Sequence, residues 1–193
     1  MLNFDSMNEG VSDEDLMLNY RNGDAASFDH LYRRHRGGLY RYILRKCGNA
    51  SIADELFQDV WMKLIGARER YIVTAKFTTY LYQLANNRCI DYYRRQRTMI
   101  SVNQNSDDCN VDDISSHEQV QPENKIVLQE QVDTLLKLLD ELPEEQQEAF
   151  ILREEAGMSV NEIAEVTGVN SETAKSRLRY AVKKLRAGLY KDD

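Results

Sequence analysis

The side chains with the most chemistry to offer are cations, amides and carboxylates gathered at three places. Between Ser171 and Arg186 stand Lys175, Arg177, Arg179, Lys183, Lys184 and Arg186 against one acid, Glu172. Guanidinium and ammonium groups can donate to guanine O6 and N7 from a helix lying in a major groove. A second run, Arg88 to Arg97, holds four basic residues and one acid. A third cluster, Asp54, Glu55, Gln58 and Asp59, is acidic and amide and suits a basic partner. Nothing resembles a catalytic constellation: there is no Gly-rich phosphate loop, no Ser/His/Asp or Cys/His arrangement and no metal-ligand spacing. Cys47, Cys89 and Cys109 are too few and too scattered for a disulfide framework. The chain is therefore expected to be no enzyme and to need no cofactor and no metal.

The net charge of the 193 residues is −7, which opposes unaided approach to DNA. Two local basic faces on an acidic chain fit a protein that meets DNA when a larger partner holds it there. Residues Ser101 to Glu123 carry six acids and no Lys or Arg. No apolar run approaches the roughly 18 residues of a membrane span. The acidic stretch Met1 to Asp15 lacks the basic-then-apolar pattern of a secretion signal. A cytoplasmic location without membrane insertion is expected.

Helices must position these groups. Ser12, followed by Asp13, Glu14 and Asp15, reads as a helix start with acids in the first turn. Phe28, Leu31, Tyr32, Leu39, Tyr42 and Ile43 recur at helical spacing, and Gly48-Asn49 reads as a stop. A new helix is expected from Ser51, with Asp54 and Glu55 in its first turn and Leu56, Val60, Trp61, Leu64 and Ile65 as its apolar stripe. Loss of periodicity marks Gly66 to Thr79 as a loop, and a long helix follows from Thr79 to Arg97. Polar, acidic residues 98–122 read as a flexible linker. Pro122 opens a second helical block whose first helix is marked by Leu135, Leu138, Leu139 and Leu142; Pro143 interrupts the block and Gly157 breaks it again. No strand alternation appears. The sequence thus describes an all-α chain of two helical domains, 12–97 and 123–190, joined by the linker.

Ser159-Val-Asn-Glu162 is a capping box, and Gly168 permits a tight turn before a basic helix. Together they spell a helix-turn-helix. On a helical wheel Ala174, Leu178, Ala181, Val182 and Leu185 gather on one side. Glu172, Ser176, Arg179, Tyr180 and Lys183 gather on the other, with Lys175 and Arg186 beside them. A solvated charged helix would show the same charge run; the ordered cap, turn and helix favour DNA binding.

Three segments carry a family resemblance. Leu142-Pro-Glu-Glu-Gln-Gln-Glu-Ala-Phe150, Arg153-Glu-Glu-Ala-Gly-Met-Ser-Val-Asn-Glu-Ile-Ala164 and Thr173-Ala-Lys-Ser-Arg-Leu178 resemble domain 4 of extracytoplasmic-function (ECF) sigma factors of RNA polymerase. Glu172 and Ala174 stand where that family usually has Gly and Val. Asp54-Glu-Leu-Phe-Gln-Asp-Val-Trp61 is similar to the domain 2 helix that docks on the polymerase β′ clamp helices, with Asp59 for the usual Glu and Trp61 for the usual Phe. Phe77-Thr-Thr-Tyr-Leu-Tyr-Gln-Leu-Ala85 and Asp91-Tyr-Tyr-Arg-Arg95 resemble the promoter-melting helix, with Tyr80 replacing a Trp.

The resemblance implies two helical domains without the larger sigma factors' third domain. It implies binding to core polymerase through Asp54, Glu55, Gln58 and Asp59, and a further polymerase contact at the β flap. It implies capture of an unpaired −10 base between Tyr71 and Asn87, aided by Gln83 and by Arg94, Arg95 and Arg97. Lys175, Ser176, Arg177, Arg179, Tyr180 and Lys183 would read duplex −35 DNA. The implied partners are core polymerase, promoter DNA in duplex and single-stranded form, and an anti-sigma factor. Core packing remains an equal alternative for Tyr80 and Tyr82. An autonomous helix-turn-helix regulator would explain Ser159 to Leu185 but not Asp54 to Trp61 or the basic helix ending at Arg97.

Overall fold

The computed structural model describes residues 10–102 and 134–189. Most of the expected linker and the expected helix start at Pro122 lie outside the described residues. The chain divides into two compact units, with the division falling between Cys109 and Asn110. All regular structure among the described residues is helical.

The first unit contains α1 (Asp13–Arg21), α2 (Ala25–Cys47), α3 (Ala50–Ala67), a 3₁₀ turn (Arg68–Arg70) and α4 (Phe77–Val102). Ser12 caps α1 as expected, its hydroxyl accepting from the Asp15 amide at 3.1 Å. Gly48, at φ 65°, adopts the left-handed conformation that closes α2. The restart differs from expectation. Asn49 takes the cap, its side-chain oxygen accepting from Ile52 N at 3.1 Å. The helix therefore begins at Ala50, and Asp54 and Glu55 fall in its second turn.

The loop expected over Gly66 to Thr79 is shorter in the structure. Helix α3 runs on to Ala67, the 3₁₀ turn follows, and α4 starts at Phe77. The early start has a distant cause: Glu14 of α1 accepts the Phe77 amide hydrogen at 2.6 Å. An N-terminal amide satisfied from another helix leaves no mark on local periodicity. Helix α4 also overruns its expected end at Arg97, reaching Val102. No Gly or Pro interrupts it there, and the Thr98 hydroxyl donates to the Arg94 carbonyl at 2.9 Å.

Leu16 and Met17 of α1, Leu31, Leu39, Tyr42 and Ile43 of α2, Leu56, Val60 and Leu64 of α3, and Phe77, Leu81 and Tyr82 of α4 form the buried core. Aromatic rings line the α2–α3 seam. Trp61 lies 4.9 Å from Tyr32 and 5.7 Å from Phe28, both edge-on, a favoured geometry for such pairs. Tyr82 is buried against Tyr42, which resolves that side chain as core. Between α3 and α4 sits an ion pair. Arg88 is only 9 % exposed, and its guanidinium donates to Asp59 through Nε at 2.7 Å and through Nη2.

The second unit contains α5, of which residues 134–140 are described, then α6 (Glu144–Ala156), α7 (Val160–Thr167) and α8 (Ser171–Leu189). Pro143 stands at the N-cap of α6 in extended backbone, where its missing amide hydrogen costs nothing. The capping box of α7 is complete: Glu162 N donates to Ser159 Oγ at 3.3 Å, and Ser159 N donates to Glu162 Oε2 at 2.7 Å. Gly168, at φ 69°, makes the turn into α8. Ala181 and Leu185 of α8 pack against Leu139 and Leu142. No helix among the described residues is long and apolar enough to cross a membrane.

Two stability measurements follow from these contacts. Ser159→Ala removes one arm of the capping box and should lower the urea unfolding free energy by about 1 kcal/mol. Asp59→Ala strands the Arg88 cation and should cost about 2–3 kcal/mol, less than a fully buried pair because the Asp59 side chain keeps 40 % exposure. Glu55→Ala, on the open face of the same helix, should change the midpoint little and serves as the reference.

Candidate nucleic-acid interface

Three surfaces present the groups that the sequence singles out. On α3 the four polar residues separate. Glu55 and Gln58 are exposed in the middle of the outward face. Asp54 is also exposed, at the edge nearest α2, where it meets the Tyr40 hydroxyl; burial and then this carboxylate push the Tyr40 phenol up. Asp59 lies at the opposite edge and is occupied by Arg88. The sequence pattern missed Met62, which is 65 % exposed four residues after Gln58 and seven after Glu55. Helical spacing from the acids would have found it.

On α4 the outward stripe is Tyr80, Gln83, Asn87 and Arg94, which fall within roughly 60° of one another at the helical repeat. Asn87 is exposed, and Gln83 and Tyr80 are half-buried. Arg94 is exposed and bonds Asp91 one turn back at 2.9 Å. Arg95 and Arg97 are exposed on either flank of the stripe.

Tyr71 enters this surface in a way the sequence did not disclose. It is 5 % exposed, with its ring 5.5 Å from that of Tyr80 at the head of the stripe. Asn87 stands two turns further along, about 10 Å by helical rise. Tyr71 meets the stripe at Tyr80, and Asn87 lies further along the same stripe. The Tyr71 hydroxyl is buried and finds no hydrogen-bond acceptor. Burial, then the nearby Glu14 carboxylate, pushes this phenol up to about 12. What the loop turns outward is apolar: Ile72 and Val73 are 66 % and 50 % exposed. Apolar side chains on an open loop are available to unstacked bases; the Ile-Val pair in a region without periodicity was the overlooked signal.

On α8 the Asn170 side chain accepts the Thr173 amide hydrogen at 2.8 Å and starts the helix. Ser171 Oγ ties its first turn to Asn161 of α7 at 2.7 Å. The wheel's two sides separate in the structure. Ala174, Ala181 and Leu185 are buried, while Lys175, Arg179, Tyr180, Lys183 and Arg186 are exposed. Ser176 is half-buried beside them, and Arg177 is half-buried on the flank. Lys175, Arg179, Lys183 and Arg186 rim a shallow groove floored by Val160, Leu178 and Val182. The Arg179 guanidinium rests 5.2 Å from the Tyr180 ring centre, a cation–π distance. A protruding helix with cations outward and a bonded turn behind it has the form that enters a major groove.

Comparison with known proteins assigns these two units. A family model described as Sigma-70 region 2 matches residues 31–98, and one described as Sigma-70, region 4 matches residues 133–185. The chain is 28 % identical over 169 residues to RNA polymerase sigma factor YlaC of Bacillus subtilis, covering 86 % of this chain and 93 % of that one. It is 26 % identical over 175 residues to the ECF RNA polymerase sigma-E factor of Haemophilus influenzae, covering 89 % and 92 %. Among solved structures, the sigma factor RpoE of Bartonella quintana, in complex with the anti-sigma factor NepR, aligns with a TM-score of 0.66 at 22 % identity, over 86 % of this chain and 98 % of that one. CnrH, in complex with the cytosolic domain of CnrY, aligns with a TM-score of 0.61, also at 22 % identity, over 94 % and 99 %. Region 2 precedes region 4 in one short chain, and the chain belongs to the sigma-70 family as an ECF-type RNA polymerase sigma factor.

Proposed function

We propose that this sigma factor binds core RNA polymerase with the outward face of α3, opens the −10 element with α4 and the preceding loop, and docks on the −35 element with α8. The observation that carries the reading is the order of the two matched regions, 31–98 and 133–185, each bearing an exposed surface of suitable chemistry. Glu55, Gln58 and Met62 form the centre of the polymerase face, with Asp54 at its rim; acidic groups around one apolar anchor suit a basic partner. Asp59 supports that face from behind. The β′ clamp helices are the proposed partner there, and the β flap is the proposed partner of the second unit.

On the DNA side, Asn87 presents an amide that can pair with the edge of an extruded base, and Ile72, Val73 and Tyr80 surround the approach. Arg94, Arg95 and Arg97 meet the phosphates of the opened strand. Lys175, Ser176, Arg179, Tyr180 and Lys183 face the major groove, with Arg177 at its edge. The protein lowers no chemical barrier; polymerase performs the nucleotidyl transfer. Its place of action is the cytoplasm, with polymerase. An anti-sigma factor is a further proposed partner, by likeness to the RpoE–NepR complex.

Transcription in vitro from a promoter library, with core polymerase alone and with the protein added, tests the whole reading; no sequence-selective initiation with the protein would overturn it. Charge reversal at Asp54 and Glu55 should weaken core binding about tenfold or more while the helical circular dichroism is retained. Asn87→Ala holoenzyme should still form closed complexes but give few permanganate-reactive open ones. Arg179→Ala should weaken recruitment by roughly 1–3 kcal/mol, and a premelted bubble template should not restore it. Equal loss of closed complexes by both variants would contradict the division between the two units.

A further inference from the structure

The short helix α1 lies outside the region 2 match, which begins at residue 31. It nevertheless holds the loop between α3 and α4 at both ends. Arg21 Nη1 donates to the Tyr71 carbonyl at 2.9 Å, where the loop begins. Glu14 Oε1 accepts the Phe77 amide hydrogen at 2.6 Å, where the loop ends and α4 starts. The two side chains are seven residues apart on α1, two helical turns, and so share a face. The loop between these anchors carries the exposed Ile72 and Val73.

The helix is itself firmly seated. Leu16 and Met17 are fully buried, and Asp13 binds both Arg34 at 2.8 Å and His35 at 2.7 Å on α2. The Arg68 guanidinium, in the turn just before the loop, rests 5.5 Å from the Tyr20 ring centre. Helix α1 therefore transmits the position of α2 to the two loop ends. Both bonds use main-chain groups of the loop, so they fix its path without consuming the side chains that face outward. A bond of this kind involving a charged side chain is stronger than a neutral one and directional.

We propose that Glu14 and Arg21 are positioning residues for −10 base selection: together they set the path of the 71–76 loop, and with it the base that the site prefers. The proposal rests on the reading of that loop and Asn87 as the receiving site. Neither residue touches DNA. Their loss relaxes discrimination among bases at the captured −10 position and leaves −35 discrimination and core affinity in place.

The test uses full-length holoenzyme and four templates that differ only at the captured base. Glu14→Ala and Arg21→Ala should reduce the ratio between the best and worst template by about threefold to tenfold, the factor that one hydrogen bond commands. Glu14→Gln keeps the acceptor and Arg21→Lys keeps a donor, so both should recover most of the ratio. The Phe77 amide should exchange faster in Glu14→Ala than in Glu14→Gln. Where an alanine variant fails to fold, Glu14→Leu and Arg21→Leu, which carry neither acceptor nor donor, replace it with the same outcomes attached. Equal loss on all four templates would mean that α1 only stabilises the unit, and the proposal would fall. If Ile72→Ala or Val73→Ala changed the ratio while the α1 variants did not, the receiving site would stand and the proposal would fall. If neither the loop variants nor Asn87→Ala altered the ratio, the receiving site itself would be wrong, and the proposal with it.

Discussion

A cation inside the first unit constrains everything around it. Arg88 projects from the inner side of α4 and is nearly removed from water, a position that is costly unless a carboxylate answers it. Asp59 of α3 provides that carboxylate through two donors of the guanidinium. Both donors converge on Asp59 Oδ2, so the pair constrains how α3 and α4 are rotated against each other. With Asp59 turned toward α4, Glu55, Gln58 and Met62 must face outward on α3. With Arg88 turned inward, Tyr80, Gln83, Asn87 and Arg94 must face outward on α4. One part-buried ion pair thus orients both the proposed polymerase face and the proposed base-receiving stripe.

The same logic runs through the loop that joins these helices. A six-residue connection that turns Ile72 and Val73 outward would gain little by ordering itself. Main-chain bonds to Arg21 and Glu14 order it from outside, and the buried Tyr71 ring pins its first residue against Tyr80. The Tyr71 hydroxyl goes without an acceptor in that position. Its ring serves as a wedge under the loop, while Ile72 and Val73 carry the exposed surface. The second unit uses a simpler device. Its helix α8 is held by Ala174, Ala181 and Leu185 on the inner side, and its start is fixed by Asn170 and Ser171. The outward cations need only stand clear of the turn.

Much of this was legible in the chain itself because the signals are local. The Ser12 cap, the Gly48 stop, the Ser159–Glu162 box and the Gly168 turn each depend on residues within a few positions, where side-chain type and backbone conformation are directly coupled. The α8 wheel placed Ala174, Ala181 and Leu185 on the packing side, since one amphipathic helix on one core follows its own period, but Leu178 and Val182, expected beside them, are half-buried and floor the groove between the cations. The two cation runs and the order of the acidic α3 cluster, the α4 stripe and the helix-turn-helix were likewise visible as spacing.

What the sequence could not decide were the contacts that join distant residues. Nothing in the spacing of Asp54, Glu55, Gln58 and Asp59 tells that Asp59 is tied to a cation 29 positions away, or that Met62 belongs with the rest. Periodicity placed the start of α4 at Thr79, because the carboxylate that satisfies Phe77 sits 63 residues earlier. Tyr71 and Asn87 were paired by resemblance, yet the fold buries one and exposes the other two turns along. The chain alone determined the helices, their caps and the charge of each face. Only tertiary packing decided which polar groups are spent on holding helices together and which are left to meet polymerase and DNA, because a carboxylate's role depends on the cation within hydrogen-bond reach and not on its neighbours in sequence.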